Sequence, residues 1–541
     1  MSSSSSSSAT DVDGAENEPP RLSALFLIRF DKKVGYTIAW KRTAVDGLEL
    51  DGAVEFKSLP SGLHTVDSDL VYFVHGDYAG LGAYVKASAS AEERNAEFVS
   101  VGILVSRAYG RLGRSWLLAP RLRSLATSLA NDLAATAPLE ELWEEQSAST
   151  PSASHKGDEG HGRARALSTI TPVTPTEQSL APFHPALSML KYVDVFGPLL
   201  FRLQQAALLR KRILFVGGPP VRTCCEFGTE LTQAVYNLSL LSSIPPHLAD
   251  FLSPGTDTLL RLPALFSVGV HDIPQLEQLS FKTNATESDG EDGPSAGWVA
   301  CTTDEIITTK KQLYDVVVEM PPTYDAPPEQ RVWPTMKTSD GSHIKASQRD
   351  LRRYKMLCRE LWRHRDQGTG SEPEDEDEDD QAVLLPHKGD SGEEDLDGTF
   401  GDSVVEPITW TQLAYTGFMW WASAGEQHAY TSRERDSDLD LLGDLSDGRD
   451  GLPPAVIAYF HRSTSLLVNS LHGLIESADD ENADDEGVLV VDKDDISRMG
   501  LDTWSEADKA FLSEFLWMWF GRTVEVRGTS IDCCGVRIPV P

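Results

Sequence analysis

The sequence predicts a mixed α/β protein of the α+β type that is built from two lobes, and three observations support this fold class. Five short apolar runs typical of strands lie between about residues 22 and 106, and a long helical pattern follows them. A helix, a buried strand and a second helix are predicted between Val195 and Leu241. Residues 403–541 carry mainly helical patterns, and a chain of 541 residues is long enough for two or three domains.

The N-terminal part of the chain predicts a disordered tail and then a folded lobe. Residues 1–20 are rich in serine and then in acidic residues and proline, so we expect them to be disordered. In residues 21–145, two strands precede a short crossover, three more strands and a helix from about Ser115 to Glu145. This order describes a small sheet backed by helices, the layout of a longin or profilin-like domain. Residues 146–181 are largely Ser, Thr, Pro and Gly, which predicts a flexible linker.

The second folded region, residues 182–365, is organised around the segment from Val195 to Leu241. An apolar run from Ile213 to Val216 ends in the turn Gly-Gly-Pro-Pro, as a buried strand does before a helix. A glycine turn at such a place is often a phosphate site. Here the two prolines have no N–H to donate, and no Lys-Ser or Lys-Thr pair follows. We therefore interpret the segment as a core strand that enters a core helix.

The C-terminal part predicts helices that alternate with acidic segments. Residues 366–402 contain 15 acidic residues and one lysine, which predicts a disordered insertion. Residues 403–541 predict a mainly helical module with acidic loops at 433–450 and 476–495. Within this module, the aromatic-rich segment from Pro407 to Glu426 has the bulk of a buried helix. The formal net charge is −35, of which the three acidic segments carry −14, −4 and −9, so the rest of the chain does not indicate a broad nucleic-acid binder.

Several other classes of protein are disfavoured by the sequence. The N-terminus has no signal-peptide pattern and no window reaches 18 apolar residues, which predicts a cytoplasmic protein that contacts membranes only peripherally or through a partner. The six cysteines form no CxxC pair and are interpreted as reduced thiols. We predict no cofactor and no metal, and the pair His271-Asp272 favours a capping or core role. The protease-like sequence from Gly389 to Gly392 lies inside the acidic insertion, where a catalytic serine cannot be held in place, so no hydrolase, transferase or redox site is predicted.

Several segments resemble the DENN-domain proteins, and in particular their LCHN-type subfamily. These segments are LIRFD, VEFKSLPSGLHTVDSDLVYF, SVGIL and, most specifically, GWVACTTDEI followed by KKQLYDVVV; ILFVGGPP and LFSVGVHD are similar to the central DENN module. The resemblance covers most of residues 21–360 and, more loosely, 403–541. It implies a tripartite, two-lobed architecture, with a longin-like N-terminal lobe and a second lobe made of a central α/β module and a helical C-terminal module.

The resemblance implies a guanine-nucleotide exchange factor that promotes GDP release from a Rab-type small GTPase in membrane traffic. In the family, the GTPase binds in the cleft between the two lobes. Candidate contacts from the first lobe lie in the crossover between the second and third strands: Phe56, Lys57, Leu59, Pro60 and His64. Ordinary packing of an amphipathic segment is the competing interpretation of each of them. The alternative function is a non-catalytic GTPase-binding or adaptor scaffold in vesicle traffic, because a scaffold needs the same cleft.

Deletion of Gly368 to Gly401 tests whether the acidic insertion belongs to the folded structure. The preceding basic helix, with Arg352, Arg353, Lys355 and Arg359, offers positions that the acidic residues could cover. We expect the thermal unfolding midpoint to stay nearly unchanged, because the deletion removes little apolar surface. Scanning fluorimetry measures the midpoint, and a drop of many degrees would show that the segment packs on the fold.

Overall fold

The computed structural model describes the greater part of both predicted lobes. The described residues are 19–31, 33–60, 67–86, 98–132, 136–148, 180, 184–217, 224–286, 296–322, 331–368, 400, 403–410, 412–414, 432–443, 451–481, 488–526, 530–533 and 536–539. Among the described helices, none combines the length and the apolar character that a membrane span requires.

Most of the predicted strands and helices appear in their predicted order, and further elements lie where none was predicted, among them the strands at 335–338 and 343–344 and the helix at 273–286. The strands are β1 (Leu22–Asp31), β2 (Gly35–Thr43), β3 (Ser68–His75), β4 (Tyr78–Lys86), β5 (Phe98–Ser106), β6 (Ile213–Gly217), β7 (Ala264–Ser267), β8 (Val299–Thr302), β9 (Val316–Met320), β10 (Thr335–Thr338), β11 (His343–Ile344), β12 (Leu489–Val491), β13 (Val524–Val526), β14 (Ser530–Cys533) and β15 (Val536–Pro539). The helices are α1 (Val54–Lys57), α2 (Ala119–Asn131), α3 (Ala137–Ala148), α4 (Met189–Phe196), α5 (Leu199–Leu208), α6 (Cys224–Leu241), α7 (Ile273–Thr286), α8 (Glu305–Thr309), α9 (Gln348–Gly368), α10 (Ser432–Leu442), α11 (Leu452–Glu481), α12 (Lys493–Arg498) and α13 (Glu506–Phe520).

The five N-terminal strands form the predicted small sheet, which is antiparallel with the order β3-β4-β5-β1-β2. Two glycines in this sheet lie under aromatic rings. A Cβ atom on Gly80 would meet the ring of its register partner Phe73 at 2.3 Å, and one on Gly102 would meet the ring of its partner Phe26 at 2.2 Å. The single helix expected after β5 is two helices, α2 and α3, with an extended backbone at Asp132 after the first.

The two lobes share one sheet. In the described part of the chain, eleven strands are hydrogen-bonded in the order β11-β10-β9-β6-β8-β7-β3-β4-β5-β1-β2. The lobes meet where β3 pairs antiparallel with β7 through Phe73 and Phe266. Phe266 is fully buried and has φ of 60°, a left-handed conformation that is unusual for an aromatic residue. The sequence patterns predict both strands but not this pairing between them.

The second lobe is an α/β unit around β6, as the resemblance implies. β6 pairs in parallel with β8 on one side and with β9 on the other. Its residues alternate between two cores: Phe215 packs in the core that contains α6, and Leu214 packs with the α7 and α8 residues Leu276 and Ile307. The predicted Gly-Gly-Pro-Pro turn after Gly217 lies outside the described residues. All five residues of β6 are buried, so the prediction of a buried core strand is confirmed.

The C-terminal helices are attached to the second lobe through buried charges around Arg202 of α5. The Arg202 guanidinium donates to Asp508 Oδ1 at 2.6 Å and lies 3.2 Å from Asp350 Oδ2 of α9, and all three side chains are at most 4% exposed. It also lies 3.7 Å from Glu406. A second buried pair, Arg349 and Asp438 at 3.0 Å, joins α9 to α10. These contacts fix α10 and α13 to the central module.

Several local features differ from the sequence predictions. A helix, α10, lies where an acidic loop is expected at 433–450, and α12 begins inside the loop expected at 476–495 and extends past its end. In the segment expected to be a buried helix, Ile408, Trp410 and Leu413 are 56%, 85% and 52% exposed, so that expectation is wrong for these residues. The predicted Ser505 cap of α13 and the end of this helix at Gly521 are both confirmed.

The ends of the acidic segment touch the folded structure. The helix α9 continues to Gly368, and the ring of Phe400 lies 4.6 Å from that of Trp333 and 5.6 Å from that of Tyr354. A deletion of residues 369–399 therefore tests the acidic insertion more cleanly than one that removes Phe400. Arg353 is 6% exposed and donates to the Tyr459 hydroxyl at 3.1 Å, so this residue is not a surface that the acidic segment could cover.

Replacement of Arg202 by Met tests the charge cluster. Burial raises the pKa of Asp350 to about 6 against the lowering effect of Arg202, and the charge of Asp508 raises it further. Without Arg202, two carboxylates remain buried without their cation, so we expect Arg202→Met to lower the free energy of unfolding by about 3–5 kcal/mol at pH 7.5. The surface pair Arg522–Asp479 supplies the control, since Arg522→Met should cost less than about 1 kcal/mol.

The pH dependence of the Arg202→Met effect gives a second readout. A carboxyl group whose pKa is higher in the folded than in the unfolded chain binds protons preferentially in the folded chain, so its contribution becomes more favourable as the pH falls. Loss of Arg202 raises the pKa of Asp350 further. The destabilisation measured by urea unfolding should therefore be smaller at pH 5 than at pH 7.5. An equal loss at both pH values would contradict this account of the cluster.

Candidate partner-binding site between the two lobes

The crossover that carries the predicted contact residues forms one helical turn, α1, held firmly against the N-terminal sheet. Val54 is fully buried, and Glu55 Oε1 accepts a hydrogen bond from the Gly52 N–H at 2.8 Å. The turn ends at Ser58, whose carbonyl oxygen accepts from Ser100 Oγ at 3.1 Å. A Cβ atom on Gly82 would lie 2.6 Å from this carbonyl, so glycine allows the crossover to approach β4 closely.

Lys57 connects the first lobe to the second. Its ammonium group lies 2.7 Å from Asp272 Oδ1 and donates to Gln275 Oε1 and to the carbonyl oxygen of Val74, both at 3.2 Å. Lys57 is 13% exposed and Asp272 is 6% exposed. The other oxygen of Asp272 accepts from the Gly269 N–H at 3.0 Å, which confirms the predicted capping role of this residue. The pair therefore fixes α1 to the turn that precedes α7.

A histidine, His75, lies beside this pair. Burial lowers its pKa, and the nearby charge of Lys57 lowers it further. The hydrogen bond between His75 Nε2 and the Glu49 carbonyl at 3.0 Å and the charge of Asp272 raise the pKa, but the net shift is downward. The surroundings of the pair therefore disfavour a second positive charge next to Lys57.

Phe56 extends an aromatic surface across the two lobes. Its ring is stacked on the ring of His271, with centroids 3.9 Å apart and planes at 22°. On the other side it meets Tyr36 at 5.7 Å, and Tyr36 packs against Phe30 and Phe98, each at 5.8 Å. We call Phe30, Tyr36, Phe56, Phe98 and His271 the interlobe aromatic surface. Phe30 and Phe56 are 40% and 39% exposed, so a partner can contact these rings.

The other predicted contact residues have different surroundings. Leu59 is 8% exposed and packs in the core of the first lobe with Val54 and Phe73, as the competing interpretation of ordinary packing requires. Pro60 lines a small cavity between the lobes, together with Thr232 and Thr302 of the second lobe. His64 lies outside the described residues. Of the five residues, Phe56 thus offers the most exposed apolar surface among those described.

Sequence reasoning missed the participation of Phe30, Tyr36 and His271. Phe30 and Tyr36 are register partners across the hairpin between β1 and β2, so strand pairing could have placed their side chains on one face. His271 comes from a distant part of the chain, and no local pattern indicates that it stacks on Phe56.

Among the described residues, no group of three or more His, Cys, Asp or Glu side chains is arranged so that it could hold a metal ion. Two cysteines, Cys301 and Cys358, are buried free thiols, and burial raises the pKa of each to about 12. These two side chains are therefore protonated and unreactive at neutral pH. The site between the lobes offers apolar rings and polar groups for binding a partner.

Comparison with known proteins assigns the family. A family model described as DENN domain-containing protein 11 matches residues 25–329, which include the N-terminal sheet, the crossover and the parallel strands of the second lobe. The chain belongs to the DENN domain-containing protein 11 family. A further model, described as a domain of unknown function, matches residues 405–488 and 479–539. The family assignment agrees with the mixed α/β architecture.

Relatives of this DENN family member differ in how much of their length is matched. The DENN domain-containing protein 11 of Danio rerio is 32% identical over 310 residues, which are 56% of this chain and 54% of the relative. That of Xenopus laevis is 31% identical over 56% of this chain and 60% of the relative. The chain thus matches little more than half the length of these vertebrate proteins. The Saccharomyces cerevisiae protein named "Uncharacterized protein ANR2" is 25% identical over 97% of this chain and 96% of its own length.

Replacement of Lys57 by Met tests whether the ion pair with Asp272 fixes the lobes to each other. The change leaves a buried carboxylate without its cation, so we expect it to lower the free energy of unfolding by about 1–3 kcal/mol. Lys33→Met is the control, because Lys33 is exposed and should change stability by less than about 0.5 kcal/mol. Chemical unfolding measures both, and equal stability of the two variants would show that the pair does not support the fold.

Proposed function

We propose that this DENN family member is a guanine-nucleotide exchange factor of the LCHN type that promotes GDP release from a Rab-type small GTPase in membrane traffic. Family membership supports a small GTPase as the partner. The observation that carries the proposal is the interlobe aromatic surface, to which both lobes contribute rings. We further propose that the protein works in the cytoplasm and contacts vesicle or endomembrane surfaces peripherally.

Exchange requires no covalent chemistry from this chain. A small GTPase holds GDP with a phosphate loop, Mg²⁺ and ordered switch segments. A protein that binds the nucleotide-free form more tightly than the GDP-bound form weakens GDP binding by the same factor, because coupling between two ligands is reciprocal. The exchange factor therefore needs a surface that is complementary to the open conformation of the switch segments. The same surface must not adapt its shape to the closed conformation.

The interlobe aromatic surface has the physical properties of such a surface. Aromatic rings give large contact areas at a low cost in side-chain entropy, and they are enriched among the residues that dominate protein–protein binding energy. Phe56 is supported by the stack on His271, and the neighbouring ion pair of Lys57 with Asp272 holds the supporting elements together. A surface held in one conformation before binding loses little freedom on binding.

Release of fluorescent GDP from a panel of Rab-type GTPases tests the proposal. We expect the wild-type chain to accelerate release from at least one GTPase. Phe56→Ala should reduce the catalysed rate at limiting concentration by about tenfold or more, which corresponds to the loss of one dominant aromatic contact. Tyr109→Ala is the matched control, since Tyr109 is an aromatic residue with the same 39% exposure outside this surface.

Two outcomes would contradict parts of the proposal. If the wild-type chain binds a GTPase but releases GDP no faster than the intrinsic rate for every member of the panel, the protein is a GTPase-binding scaffold. If release is accelerated and Phe56→Ala behaves as Tyr109→Ala does, exchange occurs elsewhere on the chain. A binding measurement with nucleotide-free GTPase separates the first outcome from a complete lack of interaction.

A further inference from the structure

The cavity that Pro60 lines lies between the lobes, at the edge where strands of the second lobe end. Its wall includes Ser267 at the end of β7, Thr302 at the end of β8 and Thr232 of α6. Asp69 of β3 lines it from the first lobe. Counted out to its open mouth, the cavity encloses about 410 Å³, which is room for a small chemical group but not for a folded segment. We call it the interlobe cavity.

The interlobe cavity exists because β3 and β7 separate beyond one paired position. In the described part of the sheet, these two strands pair at Phe73 and Phe266. Residues 69–71 of β3 pair with β4 on one side, but no described strand pairs with them on the other. All three residues line the cavity. The edge of β3 and the ends of β7 and β8 therefore leave a gap between the lobes.

The topology of the second lobe places the cavity where ligands usually bind. The strand β6 leads into α6, which packs in one core, whereas its neighbour β8 leads into α8, which packs in the core on the opposite face of the sheet. Ligands of open α/β sheets bind at the carboxyl ends of the strands, where neighbouring connections leave to opposite faces. The fold therefore favours ligand binding at this edge.

The wall of the cavity carries hydroxyl groups, and the fold does not use all of them. Ser267 is partly exposed, and its side chain forms no hydrogen bond with the described residues. Thr302 Oγ1 accepts from the Asp304 N–H at 3.1 Å, and Thr232 Oγ1 lies 4.0 Å from Cys301 Sγ. Hydroxyl oxygens accept hydrogen bonds from N–H donors. Ser267 thus offers an acceptor to a ligand without loss of a contact in the protein.

The charges at the cavity favour a cation. Among the described residues that line it, Asp69 carries a charge, and Lys, Arg and His are absent. Asp69 is 7% exposed, and its Oδ1 accepts from the Leu70 N–H at 2.8 Å. Asp304 follows the wall residue Thr303 directly and adds a second carboxylate beside the cavity. Carboxylate and hydroxyl oxygens together suit a positively charged group that donates N–H bonds.

The cavity adjoins the interlobe aromatic surface on both lobes. On the first lobe, Pro60 of its wall follows shortly after the helix α1, which carries Phe56. On the second lobe, Asp304 Oδ2 accepts from the Val270 N–H at 3.3 Å. Val270 precedes His271, whose ring stacks on that of Phe56. A long side chain of a partner that contacts the rings can therefore reach the cavity.

Building on the proposed function, we propose that the interlobe cavity binds the ammonium or guanidinium group of a basic side chain of the GTPase. Asp69 supplies the opposite charge, and Ser267 accepts a hydrogen bond. Hydrogen bonds between charged groups are roughly twice as strong as those between neutral groups. Complementary charges at an interface also exclude wrong partners and fix the orientation of the right one. The cavity thus selects partners that present a lysine or arginine beside the apolar surface that covers Phe56.

Methylammonium tests the cavity without a GTPase, because a ligand that binds the folded chain raises its unfolding midpoint. We expect methylammonium chloride to raise the midpoint of the wild-type protein more than tetramethylammonium chloride does at equal ionic strength. The second cation has the same charge but no N–H donor. Asp69→Asn should abolish the difference, and its amide oxygen can still accept from the Leu70 N–H. Asp46→Asn removes an exposed carboxylate of the first lobe and should behave as the wild-type does.

The affinity for a nucleotide-free GTPase tests the role of the cavity in docking. Asp69→Asn should weaken binding by about tenfold, the effect of losing one charge-assisted hydrogen bond, and should make binding less dependent on salt. Ser267→Ala should weaken binding by about threefold without a change in the unfolding midpoint, since its hydroxyl group forms no hydrogen bond in the fold. Asp46→Asn should bind as the wild-type does.

The proposal is overturned if the two cations act equally on the wild-type protein, or if Asp69→Asn and Ser267→Ala bind the GTPase as tightly as the wild-type does. If Asp69→Asn lowers the unfolding midpoint without any ligand, Ser267→Ala decides the binding test. A wild-type chain that binds no GTPase of the panel contradicts the proposed function instead. The comparison of the two cations then still decides whether the cavity binds a cationic group.

Discussion

The pairing of Phe73 with Phe266 is the contact on which the two-lobed architecture depends. It places β7 against the edge of β3, so that the antiparallel sheet of the first lobe continues into the parallel strands of the second. An uncovered edge strand exposes a row of unpaired N–H and C=O groups and invites aggregation. Here the second lobe covers that edge, and the left-handed backbone of Phe266 is the local cost of joining two sheets of different strand direction.

The shared sheet also positions the two halves of the candidate site. The crossover α1 is seated on the first lobe by the close approach of Ser58 to Gly82, and the turn before α7 belongs to the second. Because the two lobes are hydrogen-bonded through one sheet, Phe56 and His271 face each other without a flexible connection between them. Lys57 and Asp272 then determine the distance between these elements.

Local patterns in the sequence predict most elements but few of the contacts between them. Period-two alternation and continuous apolar runs predict β1 to β9, because these patterns reflect burial on one or both faces, whereas the short strands β10 and β11 are not predicted. The patterns cannot predict that β3 meets β7, since the partners are far apart in the chain. The charge pattern of the residues that form α10 indicates a solvated loop. Asp438 in this segment is nevertheless buried, where it forms an ion pair with Arg349 of α9.

The candidate site shows the same limit of prediction from local sequence patterns. The amphipathic crossover was predicted to contact a partner, and its residues are divided among three roles: Leu59 fills the core, Lys57 joins the lobes and Phe56 remains exposed. The sequence does not distinguish these roles, because an amphipathic pattern does not reveal which side of a short crossover is covered by the rest of the fold. The role of His271 depends on tertiary structure and has no local signal.

The charge cluster around Arg202 has a consequence for the order of folding. Arg202 and Asp508 are 306 residues apart in sequence, so their contact closes one of the longest loops in the chain. Contacts of such separation cost the most chain entropy, and domains generally fold as units from the N-terminus during synthesis. The earlier partners Asp350 and Glu406 can reach Arg202 before Asp508 is synthesised. The cluster therefore joins the C-terminal helix α13 to a second lobe whose other parts have already left the ribosome.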